Sequence, residues 1–205
     1  IEYGNNEKFF VNGISFDEAS LRSLIESFEN YIVTEFVTPH SKIRELCGED
    51  AFAVIRTVSI YDKTTGGQIT AMVIRLGSKT AGYLADYDGT IYCGINLHDG
   101  SFFEPVYRTG DMEGILIRHN LQVHPDTHKK LDGFVLPHFE QLKILVKNIS
   151  EFLPMTPYLV MDIVPTESGF KILEINSHGQ VRNVEPWFPF RKNEYNLKVF
   201  NTVER

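Results

Sequence analysis

The stretch YLVMDIVPTESGFKILEINSHG, residues 158–179, decides the fold. Its opening run YLVMDIV is apolar apart from Asp162, PTESG reads as a turn, and FKILEIN is a second apolar run that closes on polar residues. Apolar runs bounded by Pro, Ser and Gly predict two buried strands joined by a tight reversal. Each run carries an acid, and an unpaired buried carboxylate costs several kcal/mol. Asp162 lies four residues ahead of Thr166, and Glu174 five beyond Gly169. Antiparallel pairing brings the two carboxylates together, and Asn176 shares the face of Glu174 because strand side chains alternate. Two carboxylates and an amide oxygen on one spot suit Mg²⁺ or Mn²⁺, ions that bridge nucleotide phosphates. The pattern alone leaves a second reading equally open: acids near strand ends reach solvent or pair with a nearby Arg.

Outward from the hairpin, composition sets bounds. At 205 residues the chain is long enough for one good core or two small lobes. It is 42% hydrophobic and 23% charged, ordinary proportions for a soluble globular protein. A net charge of −7 gives no support for a nucleic-acid surface. An acidic chain that handles phosphates needs metal ions and local Arg or Lys to offset charge. Cys47 and Cys93 are too few and too far apart for a disulfide scaffold or a CxxC site, which favours a reduced, cytoplasmic setting. No apolar run approaches the roughly 18 residues of a membrane helix, and no signal peptide is visible. The sequence starts at Ile1 without an initiator Met, as a fragment or processed product would.

Taken in order, FFVNGI (9–14) predicts a short hairpin turning at Asn12-Gly13. Ser15 to Glu18 fits a capping box, and Leu21, Leu24, Ile25 and Phe28 then mark one face of a helix ending near Asn30. Tyr31 to Val37 has strand composition, stopped by Pro39. AFAVIRTVSIY (51–61) and QITAMVIRLG (68–77) predict two further strands, each with one arginine, Arg56 and Arg75, amid apolar residues. Such an arginine either pairs with a core acid or forks onto phosphate or carboxylate oxygens. Residues 81–107 read as a β-meander, with Asn96 a possible contact. His119, His124, His128 and His138 do not make a zinc site, because no Cys is near and Pro125 interrupts the one HxxxH spacing. Pro137 to Leu153 predicts a Pro-started helix with Phe139, Leu142, Leu145, Val146, Ile149 and Phe152 on one face. The loop after the hairpin carries His178, Arg182 and Trp187, to meet an acceptor substrate or simply to anchor a surface loop. The tail from Tyr195 predicts a terminal helix.

The pattern D-I-x(n)-G-x-x-x-L-E-I-N resembles the metal-binding end of the ATP-grasp enzymes. IRTVSIYDKTTGGQITAMVIRLG (55–77) and HPDTHKKLDGFVLPHFEQ (124–141) resemble, more narrowly, the sugar-transfer-associated ATP-grasp family, related to the alpha-L-glutamate ligases. The resemblance spans roughly residues 8–185. It implies that Asp162, Glu174 and Asn176 hold one or two Mg²⁺ (or Mn²⁺) ions on ATP. It implies that the backbone of Glu35, Phe36 and Val37, at the hinge between two lobes, meets adenine, although an ordinary strand would look the same there. Arg56 matches the family's arginine in the strand after the hinge and Arg75 the one ending the next strand, catalytic groups that offset charge on phosphate or substrate. The implied fold is α+β and ATP-grasp-like, a mixed or antiparallel sheet packed with helices. Residues 1–36 would be the remnant of a central lobe and 37–205 the C-terminal catalytic lobe. The lysine strand and glycine-rich loop that such enzymes carry ahead of the hinge have no match near Lys8, so the N-terminal lobe is expected to be incomplete here and supplied by a longer parent chain.

The implied reaction is an ATP- and Mg²⁺-dependent ligation, in which a carboxylate is activated as an acyl phosphate and attacked by an amine or similar nucleophile. Such catalysis is mainly positioning and charge neutralisation, and needs no Ser/His/Asp or Cys/His set. The expected partners are a small carboxylate and an amine, not nucleic acid or a membrane span, with a sugar-transfer, cell-envelope setting by association with the family alone. A different class of function is a non-catalytic domain that binds nucleotide or a sugar-linked substrate. Paired acids as close as Asp162 and Glu174, with an Asn beside them, do not suit a glycoside hydrolase.

Overall fold

The computed structural model describes residues 2–3, 8–11, 14–29, 34–49, 51–80, 89–109 and 117–201. The chain divides into two units, 1–36 and 37–205. In the first, strands β1 (Glu2–Tyr3), β2 (Phe9–Val11) and β3 (Ile14–Phe16) form a small antiparallel sheet in that order. Val11 pairs with Ile14 across the expected reversal, whose Asn12 and Gly13 lie outside the described residues. Helix α1 (Glu18–Glu26) follows, but its cap is not the one expected. Ser15 is taken up in β3 opposite Phe10, and the Asp17 carboxylate instead accepts the Ser20 N–H at 2.8 Å. A carboxylate at this position also complements the positive end of the helix. The helix stops at Glu26, short of the expected Asn30, with the Ser27 hydroxyl bonded to the Leu24 carbonyl.

Among the described residues the second unit is built on seven strands: β4 (Ala53–Asp62), β5 (Gly66–Leu76), β6 (Ile91–Ile95), β7 (Phe102–Thr109), β8 (Ile117–Asn120), β9 (Tyr158–Thr166) and β10 (Gly169–Asn176). Their order is β10-β9-β4-β5-β6-β7-β8, all antiparallel and not closed into a barrel. The long, nearly continuous apolar runs of β4, β5 and β9 follow from burial on both faces. One face carries Ile55, Met72, Ile74, Cys93, Met161 and Ile163 into the larger core. That core is completed by α2 (Ser41–Cys47), through Ile43, Leu46 and Cys47, and by α3 (Phe139–Phe152). The other face carries Val58, Ile60, Val73, Tyr92 and Val160 against Val184 and Trp187 of the C-terminal segment, which ends in α4 (Glu194–Asn201).

Several expectations shift by a few residues. Residues 34–40 hold no strand, against the strand composition of Tyr31–Val37, and 31–33 lie outside the described residues. Pro39 offers no N–H there, and His40 next to it donates its N–H to the Pro165 carbonyl at 2.7 Å. Helix α3 starts two residues after Pro137, behind a left-handed His138 (φ 59°). Its buried face is Phe139, Leu142, Val146 and Ser150, whereas Phe152 is 83% exposed. The cause is close docking on β5: a Cβ on Gly67 would stand 2.9 Å from the Lys147 carbonyl and 3.1 Å from the Ser150 Cβ. A small residue at 150 admits the strand, and the helix therefore rolls off the Phe152 side. Residues 81–88 of the expected meander lie outside the described residues, and the remainder is the β6–β7 hairpin.

Candidate functional site

On the face that carries Val58 and Val160, charge interrupts the apolar surface. Along β4 the inward residues run Val54, Arg56, Val58, and along β9 they run Val160, Asp162, Val164. Arg56 and Asp162 are direct cross-strand partners, so their side chains share this face. Arg56 forks onto the carboxylate, Nε to Oδ1 at 2.9 Å and a terminal nitrogen to Oδ2 at 2.7 Å. Arg75, one strand further on β5 beside Val54 and Tyr92, reaches the same Oδ2 at 2.9 Å. Asp162 and Arg75 are both buried, 6% and 3% exposed. Burial pushes the Asp162 carboxyl up, but the hydrogen bonds and charges of Arg56 and Arg75 outweigh it and hold the group below the usual carboxylate range.

Glu174 stands on the opposite side of Asp162, as its cross-strand partner on β10. A register shift between Ile172 and Glu174 makes Leu173 the extra residue of a β-bulge and brings Glu174 level with Asp162. Asn176 follows on the same face, half-buried, and donates its side-chain N–H to Glu174 Oε1 at 2.6 Å. That bond turns the amide oxygen of Asn176 away from Glu174. The loop beyond is drawn tightly over the first strand of the hairpin. Tyr158 donates its hydroxyl to the Gly179 carbonyl at 2.6 Å, and a Cβ on Gly179 would stand 2.4 Å from that of Val160. Burial pushes the Tyr158 hydroxyl up to about 12, against the opposing charge of Arg56.

The donor set can be tested for a divalent cation. Among the described residues no three His, Cys, Asp or Glu side chains gather as a metal site. Asp162 and Glu174 therefore depend on the Asn176 amide for a third oxygen. Each carboxylate oxygen has about two acceptor positions. On Asp162, Oδ2 meets both arginines and Oδ1 only Arg56, so the spare capacity lies on Oδ1. Glu174 is exposed. Hard-oxygen donors for Mg²⁺ or Mn²⁺ would come from Glu174 and one position on Asp162, and from Asn176 once its amide turns its oxygen in place of the N–H it now gives Glu174.

A family model described as sugar-transfer associated ATP-grasp matches residues 6–185. The chain belongs to that family. Membership in the sugar-transfer associated ATP-grasp family points to an ATP-binding protein with ATP-dependent, ligase-type activity, and such proteins use ATP together with a divalent metal. No curated protein and no solved structure matches the chain. No helix among the described residues is long and apolar enough to cross a membrane.

Other residues singled out from the sequence fall elsewhere. Glu35 and Phe36 close the first unit, with Phe36 73% exposed, and Val37 opens the second, packing with Phe52, Val54 and Val164. Asn96 shapes the β6–β7 turn: its backbone pairs with Ser101 and Gly100, and its side chain accepts the His98 N–H. His124 is fully buried, its Nε2 2.9 Å from the Gly77 carbonyl and its Nδ1 accepting the Asp126 N–H. Burial lowers its pKa despite the Gly77 bond and the Asp126 charge. His119 lies on β8, and among the described residues no group of three His, Cys, Asp or Glu side chains could hold an ion. Trp187 is the anchor of its loop: it is 9% exposed, stacks on Tyr92 at 6.3 Å between ring centroids and donates Nε1–H to the Glu104 carbonyl. Sequence reasoning missed α2 altogether. Its cap is His40, whose Nδ1 accepts the Lys42 N–H, while Glu167 at the tip of the β9–β10 hairpin accepts the Ser41 N–H at 2.6 Å. Histidine is outside the usual Ser, Thr, Asp and Asn signal for a helix start, so no local pattern marked it.

Proposed function

We propose that this chain carries the metal and phosphate site of an ATP-dependent carboxylate–amine ligase. The observation that supports it most is the bulged register that sets Glu174 opposite Asp162, with Asn176 beside it, on a face lined by Arg56 and Arg75. Glu174, Asn176 and Asp162 Oδ1 would hold Mg²⁺, which supplies charge neutralisation on the phosphates when bound. The γ-phosphate of ATP would pass to a substrate carboxylate, giving an acyl phosphate and ADP. An amine would then attack the acyl carbon and expel inorganic phosphate. No side chain need act as nucleophile. Arg56, at the rim of the cluster, is the guanidinium best placed to neutralise a phosphate. The adenine role of Glu35, Phe36 and Val37 rests on the family resemblance alone, as does a cytoplasmic, sugar-transfer setting.

Titration calorimetry with a non-hydrolysable ATP analogue, with and without Mg²⁺, tests the reading. Binding should depend on Mg²⁺ in the unaltered chain and weaken at least about tenfold in Glu174→Gln, an exposed position where folding is not at stake. Equal affinity in the two proteins would remove Glu174 from the site. The second reading, a binding domain without turnover, draws on the two arginines already committed to Asp162. It predicts Mg²⁺-dependent binding with no ADP formed when carboxylates and amines are supplied.

A further inference from the structure

The Asp162 carboxylate is contested. A cation approaching it finds two guanidinium groups already in contact, one on Oδ1 and both on Oδ2. Among the described residues Arg56 and Arg75 both meet Asp162, and Glu174 stands opposite it. A divalent ion added alone would lie close to two fixed positive charges in a half-buried setting, where such repulsion is poorly screened. The two arginines are not equivalent. Arg75 has 4% of its side chain exposed and sits between Val54 and Tyr92, both buried. The Arg56 side chain is 13% exposed, and its neighbour across β9 is the edge strand that carries Glu174.

We propose that Arg56 is a displaceable counter-cation for Asp162: nucleotide phosphates draw its guanidinium off the carboxylate, which frees Asp162 for the metal and makes nucleotide and metal bind as a coupled pair. The proposal rests on the ATP reading above. Arg75 stays in place as a positioning residue that holds Asp162 toward Glu174. A phosphate is a match for the same planar fork that Arg56 now presents to the carboxylate, so the exchange replaces one bidentate contact by another. Coupling of this kind is reciprocal, since the factor by which nucleotide tightens metal equals the factor by which metal tightens nucleotide.

Electron paramagnetic resonance of Mn²⁺ reads the exchange without any turnover. The unaltered chain should bind Mn²⁺ alone weakly, and at least about tenfold more tightly with a non-hydrolysable ATP analogue, after correction for the Mn²⁺–analogue complex. Arg56→Gln should bind Mn²⁺ alone about tenfold more tightly than the unaltered chain and lose most of the coupling, while Arg75 keeps Asp162 compensated and the protein folded. Arg56→Lys, which keeps the charge but not the fork, should fall between the two. Mn²⁺ affinity unchanged in Arg56→Gln, or metal and analogue binding independently in the unaltered chain, would overturn the exchange and leave the ATP reading intact. Failure of metal and analogue together to bind the unaltered chain would overturn both.

Discussion

Asp162 and Glu174 face each other across a hairpin, yet their environments assign them different work. Among the described residues Asp162 is the carboxylate that meets both arginines, and removing its charge takes from Arg56 and Arg75 the partner they share. Asp162→Asn should therefore lose about 3–5 kcal/mol of stability in urea unfolding, the cost typical of breaking a buried ion pair from one side. Glu174→Gln should stay within about 0.5 kcal/mol of the unaltered chain in the same assay, since it is exposed. If the two substitutions cost the same, Asp162 is not the structural member of the pair. This division was not legible in the sequence. An acid in each strand was visible, but Arg56 lies 106 positions from Asp162, and only the folded sheet brings them into register. The alternative weighed for the arginines, pairing with a core acid, is the one the structure displays, and it coexists with the phosphate role proposed for Arg56.

At the scale of elements, the β9–β10 hairpin could be read further than its outline. Asp162 stands four residues ahead of Thr166 and Glu174 five beyond Gly169, so direct opposition requires one surplus residue on the second strand. Leu173 is that residue. Deleting it should restore regular pairing with Glu174 still opposite Asp162 and leave Mg²⁺-dependent analogue binding in place. Thermal unfolding should change little, because Leu173 is 52% exposed on an edge strand. Loss of binding with the fold intact would show that the bulge itself, and not opposition to Asp162 alone, sets Glu174 for the ion. The helices were legible in kind rather than in detail. The apolar period of α3 fixed its existence, but which margin meets the sheet depends on Gly67, some eighty residues earlier. The strand that claims Ser15 leaves the cap of α1 to Asp17.

For the whole molecule, the strands were readable one by one and their order was not. β9 lies beside β4 although β5 to β8 and α3 come between them in the chain. Local periodicity carries no record of such long-range pairing. Folding also commits a histidine that the sequence left undecided. His124 is buried neutral between Gly77 and Asp126, and its pKa is lowered chiefly by burial. The unfolded chain takes up a proton there at a higher pH than the folded one does. Stability is thus fully present above about pH 6.5, the ordinary histidine value, and is lost as pH falls below it. The thermal midpoint should drop between pH 7.5 and pH 5.5, and drop less in His124→Gln. An equal decline in both proteins would assign the acid sensitivity to other groups.

β10 ends the sheet, held by hydrogen bonds to β9 on one side, while β9 lies between two neighbours. The acids of the site are thus divided between a fixed interior strand and a peripheral one. An ion shared by Asp162 and Glu174 would act as a clasp, fastening the margin of the sheet to its interior. Occupancy of the site would then be felt first as stiffness, along a strand whose own chain does least to keep it in place.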